Sequence, residues 1–265
     1  RKIMEIKVGD RFTTNKGGDV VVVEYVKAKN IVVEFVDSHK HRVVTTKTVL
    51  LKGDIKNPFV LSVYGVGYIG VGEYKSSKGP ARLGFKRTES YTAWRNMLCR
   101  CYYSGYNNPE LYTHVSVDSK WHNYQVFAEW YTKQIRNNKC NGKLCLDKDI
   151  LTDDFVYSAS TCCVVPDAIN KLVKSSEGGE YLPGIKRSSK KGYHMLPHTT
   201  CSNTVFSNEI EAHLAFVQDR VNKIKETAIQ YKDQIDIKVF NALMTRDFRY
   251  KFSPLFEPET KVTLH

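Results

Sequence analysis

The sequence predicts a modular α+β protein. Short β-branched runs between turn signals fill the first 58 residues, helical periodicities fill the middle, and short strands ahead of one long amphipathic helix lie towards the end. Period-2 runs bounded by Gly, Asn and Asp read as strands, and apolar residues three and four apart read as helices. A chain of 265 residues can bury one sizeable core or divide into small modules. The expected order is a small antiparallel β-barrel over 1–58 and a Gly-rich linker over 59–80. A strand-turn-strand-helix unit with a helical lead-in follows over 81–175, then a three-stranded sheet with a helix over 181–232, and a helix and tail over 233–265.

In the first segment the strand candidates are Arg11-Phe12-Thr13-Thr14, Asp19 to Tyr25, Asn30 to Phe35 and Arg42 to Leu51. Asn15-Lys16-Gly17-Gly18, Lys29-Asn30 and Ser38-His39-Lys40-His41 supply the turns. Four or five short strands of this kind suit a Tudor-like barrel, which serves either as a binding module or as plain packing. Next, Tyr64-Gly65-Val66-Gly67-Tyr68-Ile69-Gly70 carries the spacing of a dinucleotide-binding fingerprint. That fingerprint works only where the glycines open a helix whose N-terminus faces a pyrophosphate. Lys75-Ser76-Ser77-Lys78-Gly79-Pro80 follows instead, so the stretch reads as a flexible or strand-edge linker.

Ser90 is placed to cap a helix with Tyr91, Trp94, Leu98 and Cys101 on one face, leaving Arg87, Arg95 and Arg100 for nucleic acid. A second helix is expected from about Asn123, with Val126, Phe127, Trp130 and Tyr131 inward and Trp121 at the join. These rings read as core, with stacking of Trp121 or Tyr124 on an unpaired base as the alternative. Between Lys75 and Lys148 stand 13 Lys+Arg and 5 Asp+Glu, so a surplus of 8 out of the net +12 falls here. A phosphate backbone is expected to lie along this middle segment.

The third segment offers strands at Gly184-Ile185-Lys186-Arg187, Tyr193-His194-Met195-Leu196 and Thr204-Val205-Phe206. A helix is expected from about Asn208, with Ile210, Leu214, Val217, Val221 and Ile224 on its apolar face. Lys186, Arg187, Lys190, Lys191 and His194 form a basic set on elements thin enough to enter a groove, or a solvated charged face. Asp236 is placed to cap a last helix through Val239 and Leu243, and Arg246 to His265 reads as an irregular tail.

The whole chain carries 40 Lys+Arg against 28 Asp+Glu, a positive field that draws polyanions, and double-stranded DNA is the expected partner. No apolar run approaches the roughly 20 residues that span a bilayer. The chain opens on Arg1, so a few residues are expected to precede it, and no signal-peptide core is visible. No membrane partner is therefore expected. The 7 cysteines are odd in number, with Cys162 and Cys163 adjacent, unlike the framework of a secreted disulfide scaffold. Cys99-x-Cys101 and Cys140-x4-Cys145 lack the two-residue gap of a zinc knuckle, so the thiols read as small core residues.

The stretch that carries chemistry is Leu146-Asp147-Lys148-Asp149-Ile150, Tyr157-Ser158 through Pro166, and Ile169-Asn170. It reads as strand, turn, strand, helix, with Asp147 near the first strand and Asn170 on the helix. Oxygen ligands from these two elements can converge on one hard cation, Mg²⁺ or Mn²⁺, with water and a phosphate in the remaining positions. The bland alternative is a hairpin and helix in which Asp147 and Asp149 bond turns and Asn170 caps a helix end.

Here the sequence resembles the phage-encoded HNH proteins, whose core is a ββα unit around one metal. In that family an Asp-His pair opens the motif, an Asn follows, and a His or Asn closes it on the helix. The corresponding residues are Asp147-Lys148, Thr161 and Asn170, separated by 13 and 9 positions. Trp94-Arg95-Asn96-Met97-Leu98, Arg100-Cys101-Tyr102 and Trp121-His122-Asn123-Tyr124 look like the helical lead-in of such proteins. Leu182-Pro183-Gly184-Ile185 and Phe206 to Phe216 resemble the three-stranded DNA-binding domain of plant ethylene-response factors, which phage homing endonucleases often carry. The likeness spans residues 75–230.

The resemblance implies that Asp147 and Asn170 hold the metal, that Asp147, Lys148 and Asn170 are catalytic, and that the metal stabilises the leaving oxygen of a phosphodiester. The family's His is a base because its pKa lies near neutrality, whereas an unperturbed Lys stays protonated. Lys148 is then either a base whose pKa burial or neighbouring cations have lowered, or a phosphate clamp. His122, His194 and His198 are the other candidates for the base. The expected function is a metal-dependent endonuclease acting on double-stranded DNA in the host-cell cytoplasm. The alternatives are a DNA-binding regulator with a decayed site and an interaction protein that blocks a host factor.

Overall fold

The computed structural model describes residues 5–79, 84, 86–106, 112–175, 179–188, 192–196 and 204–258. They form a mixed α and β structure with several small sheets. The chain divides into two compact units, Arg1–Leu111 with Ser119–Ala128, and Tyr112–Asp118 with Glu129–His265.

In the first unit β1 (Arg11–Thr13), β2 (Asp19–Lys27), β3 (Asn30–Phe35) and β4 (Arg42–Thr45) form an antiparallel sheet in chain order. Alternation along β2 and β3 puts Val20, Val22, Ile31, Val33 and Phe35 into a core completed by Ile6, Leu50 and Ile55. The expected barrel is corrected: β1 pairs with β2 and β4 with β3, so the sheet is open and no closed barrel forms among the described residues. The expected strand to Leu51 is also cut short, because Lys47–Lys52 is a helix, α1. Thr46 caps it by accepting the Val49 N–H, and Gly53 ends it at φ 67°, so strong local caps override the β-branched pattern.

The glycine stretch is packed rather than a linker. A methyl added at Gly67 would lie 2.5 Å from Leu98, and one at Gly70 would lie 2.2 Å from Asn123 Oδ1. The short strands β5 (Ser77–Lys78) and β6 (Lys86–Arg87) pair antiparallel ahead of α2 (Glu89–Tyr102). Thr88, not Ser90, caps α2, while Ser90 Oγ lies 2.9 Å from the Tyr124 hydroxyl. Trp94, Met97 and Leu98 are fully buried, and Trp94 Nε1 donates to the Trp121 carbonyl at 2.6 Å. A 3₁₀ turn at Ser119–His122 leads into α3 (Tyr124–Asn137), which runs on into the second unit. Phe127 and Tyr131 point inward as expected, but Val126 is exposed. Trp121 and Tyr124 are buried, so neither ring presents a face for base stacking.

In the second unit β7 (Ser116–Val117) pairs parallel with β9 (Val156–Tyr157), and β8 (Leu144–Asp147) pairs antiparallel with β10 (Cys163–Pro166). α4 (Asp167–Leu172) follows β10 at once. β11 (Ile185–Ser188) and β12 (Gly192–Met195) form a ribbon, and the third expected strand is a single bridge from Tyr193 to Phe206 among the described residues. α5 (Glu209–Gln230) starts at its Asn208 cap, but its buried face is Ala212, Phe216, Val217, Ile224 and Ala228. Of the expected face, Val217 and Ile224 are buried and Val221 is half-buried, but Ile210 and Leu214 are exposed: the Phe216 ring fills the space beside Gly184, where a methyl would lie 2.4 Å away.

α6 (Ile237–Thr245) is capped by Asp236 and buries Val239 and Leu243 as the sequence indicates. Among the described residues after it, a 3₁₀ turn at Arg249–Lys251 interrupts irregular chain, and Phe248 and Phe252 are buried in the same core. His213 anchors this end of the chain. Its Nδ1 donates to the Pro183 carbonyl at 2.9 Å, leaving Nε2 to accept from the Ser253 hydroxyl at 2.7 Å. Among the described residues no helix is long and apolar enough to cross a membrane.

Candidate functional site

The strand-turn-strand-helix stretch folds as a ββα arrangement in the second unit. Asp147 is the last residue of β8, opposite Cys163, and Asn170 lies on α4, which packs on β8 and β10. Asp147 Oδ1 accepts the N–H groups of Asp149 and Ile150 at 2.8 and 2.9 Å, and so closes the turn that follows the strand. Burial pushes its carboxyl above the usual carboxylate range, aided by the charge of Asp149 and opposed by those N–H groups. Its Oδ2 and the Asn170 amide make no hydrogen bond among the described residues. Thr161, at the family's Asn position, takes part in the Ser158 turn: its hydroxyl lies 3.0 Å from the Ser158 hydroxyl and donates to the Val156 carbonyl at 2.6 Å.

Lys148 is largely buried, with Nζ 2.5 Å from Asp149 Oδ1 and 6.0 Å from the ring centroids of Phe155 and Tyr157. The far end of the chain closes on the same loop. Arg246 donates to the carbonyls of Asp149 and Ile150 at 2.9 and 2.7 Å and pairs with Asp153 at 2.5 Å. The Tyr250 hydroxyl donates to Asp153, and Lys251 lies 3.8 Å from Asp149. Burial raises the Asp153 carboxyl, but the hydrogen bonds from Arg246 and Tyr250 outweigh it and hold Asp153 below its ordinary value. Burial also pushes Lys251 down, against the pull of Asp149 and Asp147. Tyr250 and Lys251 line a cleft of about 630 Å³ together with Tyr181, Glu209 and Ser253.

Asp147 Oδ2 and the Asn170 amide oxygen are the two oxygen atoms that the expected cation would need. No group of three His, Cys, Asp or Glu that could hold a metal occurs among the described residues. His122 lies in the first unit, 3.5 Å from the Tyr102 hydroxyl, and His194 sits on β12. His198 lies outside the described residues. Cys162 and Cys163 are buried beside the site, and burial pushes the Cys162 thiol up to about 12.

The residues assigned to nucleic acid are spread over both units. In the first, Arg87 is exposed on β6, while Arg95 and Arg100 are half-buried on α2, with the Arg95 guanidinium 5.2 Å from the Tyr64 ring centroid. On the ribbon Lys186 pairs in register with His194, and Arg187 with Tyr193. Successive strand residues face opposite ways, so Lys186 and His194 share the face turned from buried Ile185 and Met195. Lys190 and Lys191 lie outside the described residues.

Sequence reading missed Arg246, Tyr250, Lys251 and Arg220. Arg220 donates to the Leu172 carbonyl at 2.6 Å, at the end of α4, with its guanidinium 4.9 Å from the Phe252 ring centroid. The only sequence signal for Arg246, Tyr250 and Lys251 was an unusual density of aromatic and basic residues after Thr245, and Arg220 had none. Compared with protein-family models, with curated proteins and with solved structures, the chain matches none.

Proposed function

We propose that the protein binds double-stranded DNA through exposed basic residues and does not hydrolyse it. The net charge of +12 supports the binding, with Arg87, Lys186 and Arg187 exposed. One observation favours binding without cleavage. The loop after β8 is engaged internally: Asp147 closes a turn, Lys148 pairs with Asp149, and Arg246, Tyr250 and Lys251 clamp Asp149 and Asp153. The Lys148 ammonium is taken up by Asp149 and is not presented to a scissile phosphate.

A second reading, a metal-dependent endonuclease of the HNH kind, draws on the ββα arrangement of β8, β10 and α4. In it Asp147 and Asn170 would hold Mg²⁺ or Mn²⁺, which would stabilise the leaving oxygen when bound. The two readings separate in one assay. Pure protein is incubated with supercoiled plasmid in Mg²⁺, Mn²⁺ or EDTA, beside Asp147→Ala, and binding to a duplex is followed by anisotropy as salt rises. The expected outcome is binding that weakens steeply with salt and plasmid that stays intact. Metal-dependent cutting that Asp147→Ala abolishes would replace the first reading by the second. Binding that ignores salt would sink binding through the exposed basic residues.

A further inference from the structure

The first unit holds a second cleft, of about 500 Å³, lined by Gly70, Gly72, Lys75, Ser76, Ser77 and Gln125 among others. We infer that this cleft holds a backbone phosphate of the bound nucleic acid. The inference rests on the DNA-binding reading above and gives it a site that the basic residues alone do not define.

Three features point to a phosphate. The first is donors without partners: the Lys75 ammonium and the Ser76 and Ser77 hydroxyls make no hydrogen bond or ion pair among the described residues. An ammonium beside two hydroxyls is a donor set suited to phosphate oxygens. The second is rigidity. Gln125 Nε2 donates to the carbonyls of Ile69 and Tyr74 at 3.2 and 3.0 Å, and its Oε1 accepts the Tyr74 N–H at 3.0 Å. On the other side the Lys75 carbonyl accepts from the Tyr124 and Thr88 hydroxyls at 2.9 Å each, and the Ser76 carbonyl accepts the Thr88 N–H at 3.1 Å. The backbone carrying the donors is therefore fixed before any ligand arrives, which lowers the ordering cost of binding. At Gly72 a methyl would lie 2.3 Å from Gln125 Oε1, so a larger residue there would displace the side chain that holds this wall.

The third feature is local charge. Lys78 and Lys86 pair across β5 and β6, beside the pair Ser77 and Arg87, and all three cations are exposed. Against them stand Glu89, 3.9 Å from Lys78, and the exposed Glu73, which does not line the cleft. The glycine spacing of this loop thus opens no helix and serves no dinucleotide fold, yet it can admit an anion through side-chain donors.

The test uses the full chain in two arms. In the first, inorganic phosphate is titrated while the ¹H–¹⁵N resonances of Gly70, Gly72 and Gly79 are followed. In the second, duplex DNA binding is measured against salt for the wild type, Lys75→Gln and Ser77→Asp, with circular dichroism confirming that each variant folds. Phosphate is expected to shift the cleft glycines selectively. Each variant should lower the slope of log affinity against log salt by about one, and Ser77→Asp should weaken binding about tenfold. Wild-type slope and affinity in both variants would overturn the inference and leave the DNA reading standing. Shifts scattered over the whole chain would also overturn it. Selective shifts in a protein that binds no duplex would overturn the nucleic-acid source, and the DNA reading with it.

Discussion

A carboxylate withdrawn from water, wholly as at Asp147 or partly as at Asp153, must be hydrogen-bonded, paired or neutralised, and the two meet that demand differently. Asp147 relies on two backbone N–H groups, and burial still raises its pKa. An amide oxygen accepts the same bonds without a charge to bury. Asp147→Asn should therefore be as stable as the wild type or more so at pH 7, while Asp147→Ala should lose about 1–3 kcal/mol in urea unfolding. Equal losses in the two variants would contradict this account of the turn. Asp153 is held below its ordinary value by Arg246 and Tyr250, so the stability it contributes is present above its unfolded pKa near 3.9. It is lost as pH falls through the lower folded value, because the unfolded chain then binds the proton more readily. Tyr250→Phe should flatten the fall of stability between about pH 4 and pH 2, measured as urea midpoints. Of these two carboxylates the sequence reveals only Asp147, because its partners are two and three residues away, whereas those of Asp153 lie more than ninety positions on.

Elements were legible where their signals are local and illegible where tertiary packing chooses the face. The Asp236 cap, the start of α5 at Asn208 and the β2–β3 hairpin follow from neighbouring residues, and each forms as the sequence indicates. α5 shows the opposite case. Ile210 and Leu214 are good core candidates by periodicity, yet Ala212 and Phe216 are buried because the ribbon's Gly184 leaves room for one large ring. Gly184 also has φ 78°, a conformation that favours glycine. Gly184→Ala should therefore cost more than about 2 kcal/mol, from backbone strain together with the displaced ring. A loss below about 0.5 kcal/mol would mean that Phe216 does not fix the face of α5. At α1, Thr46→Ala removes a lone side-chain cap and should cost about 1 kcal/mol.

At the scale of the molecule, the division into two units is discontinuous in sequence, since the chain leaves the first after Leu111 and re-enters it at Ser119. A pass along the sequence cuts at linkers, such as a Gly-rich run, and has no means of showing such a return. Ile31 and Phe252 belong to separate hydrophobic clusters, the former in the first unit and the latter in the second. Each side chain is fully buried, so Ile31→Ala should cost about 2–5 kcal/mol and Phe252→Ala about 3–5 kcal/mol. Separate cores predict that each loss is felt mainly within its own unit. Hydrogen exchange followed by mass spectrometry reads this directly. In Ile31→Ala, peptides from β2 and β3 should exchange faster while those from α5 and α6 keep wild-type protection, and Phe252→Ala should give the reverse. α3 carries residues of both units, so its first turn should respond to the former substitution and its remainder to the latter. If either substitution speeds exchange equally throughout the chain, the two units unfold as one cooperative body and the division has no energetic meaning.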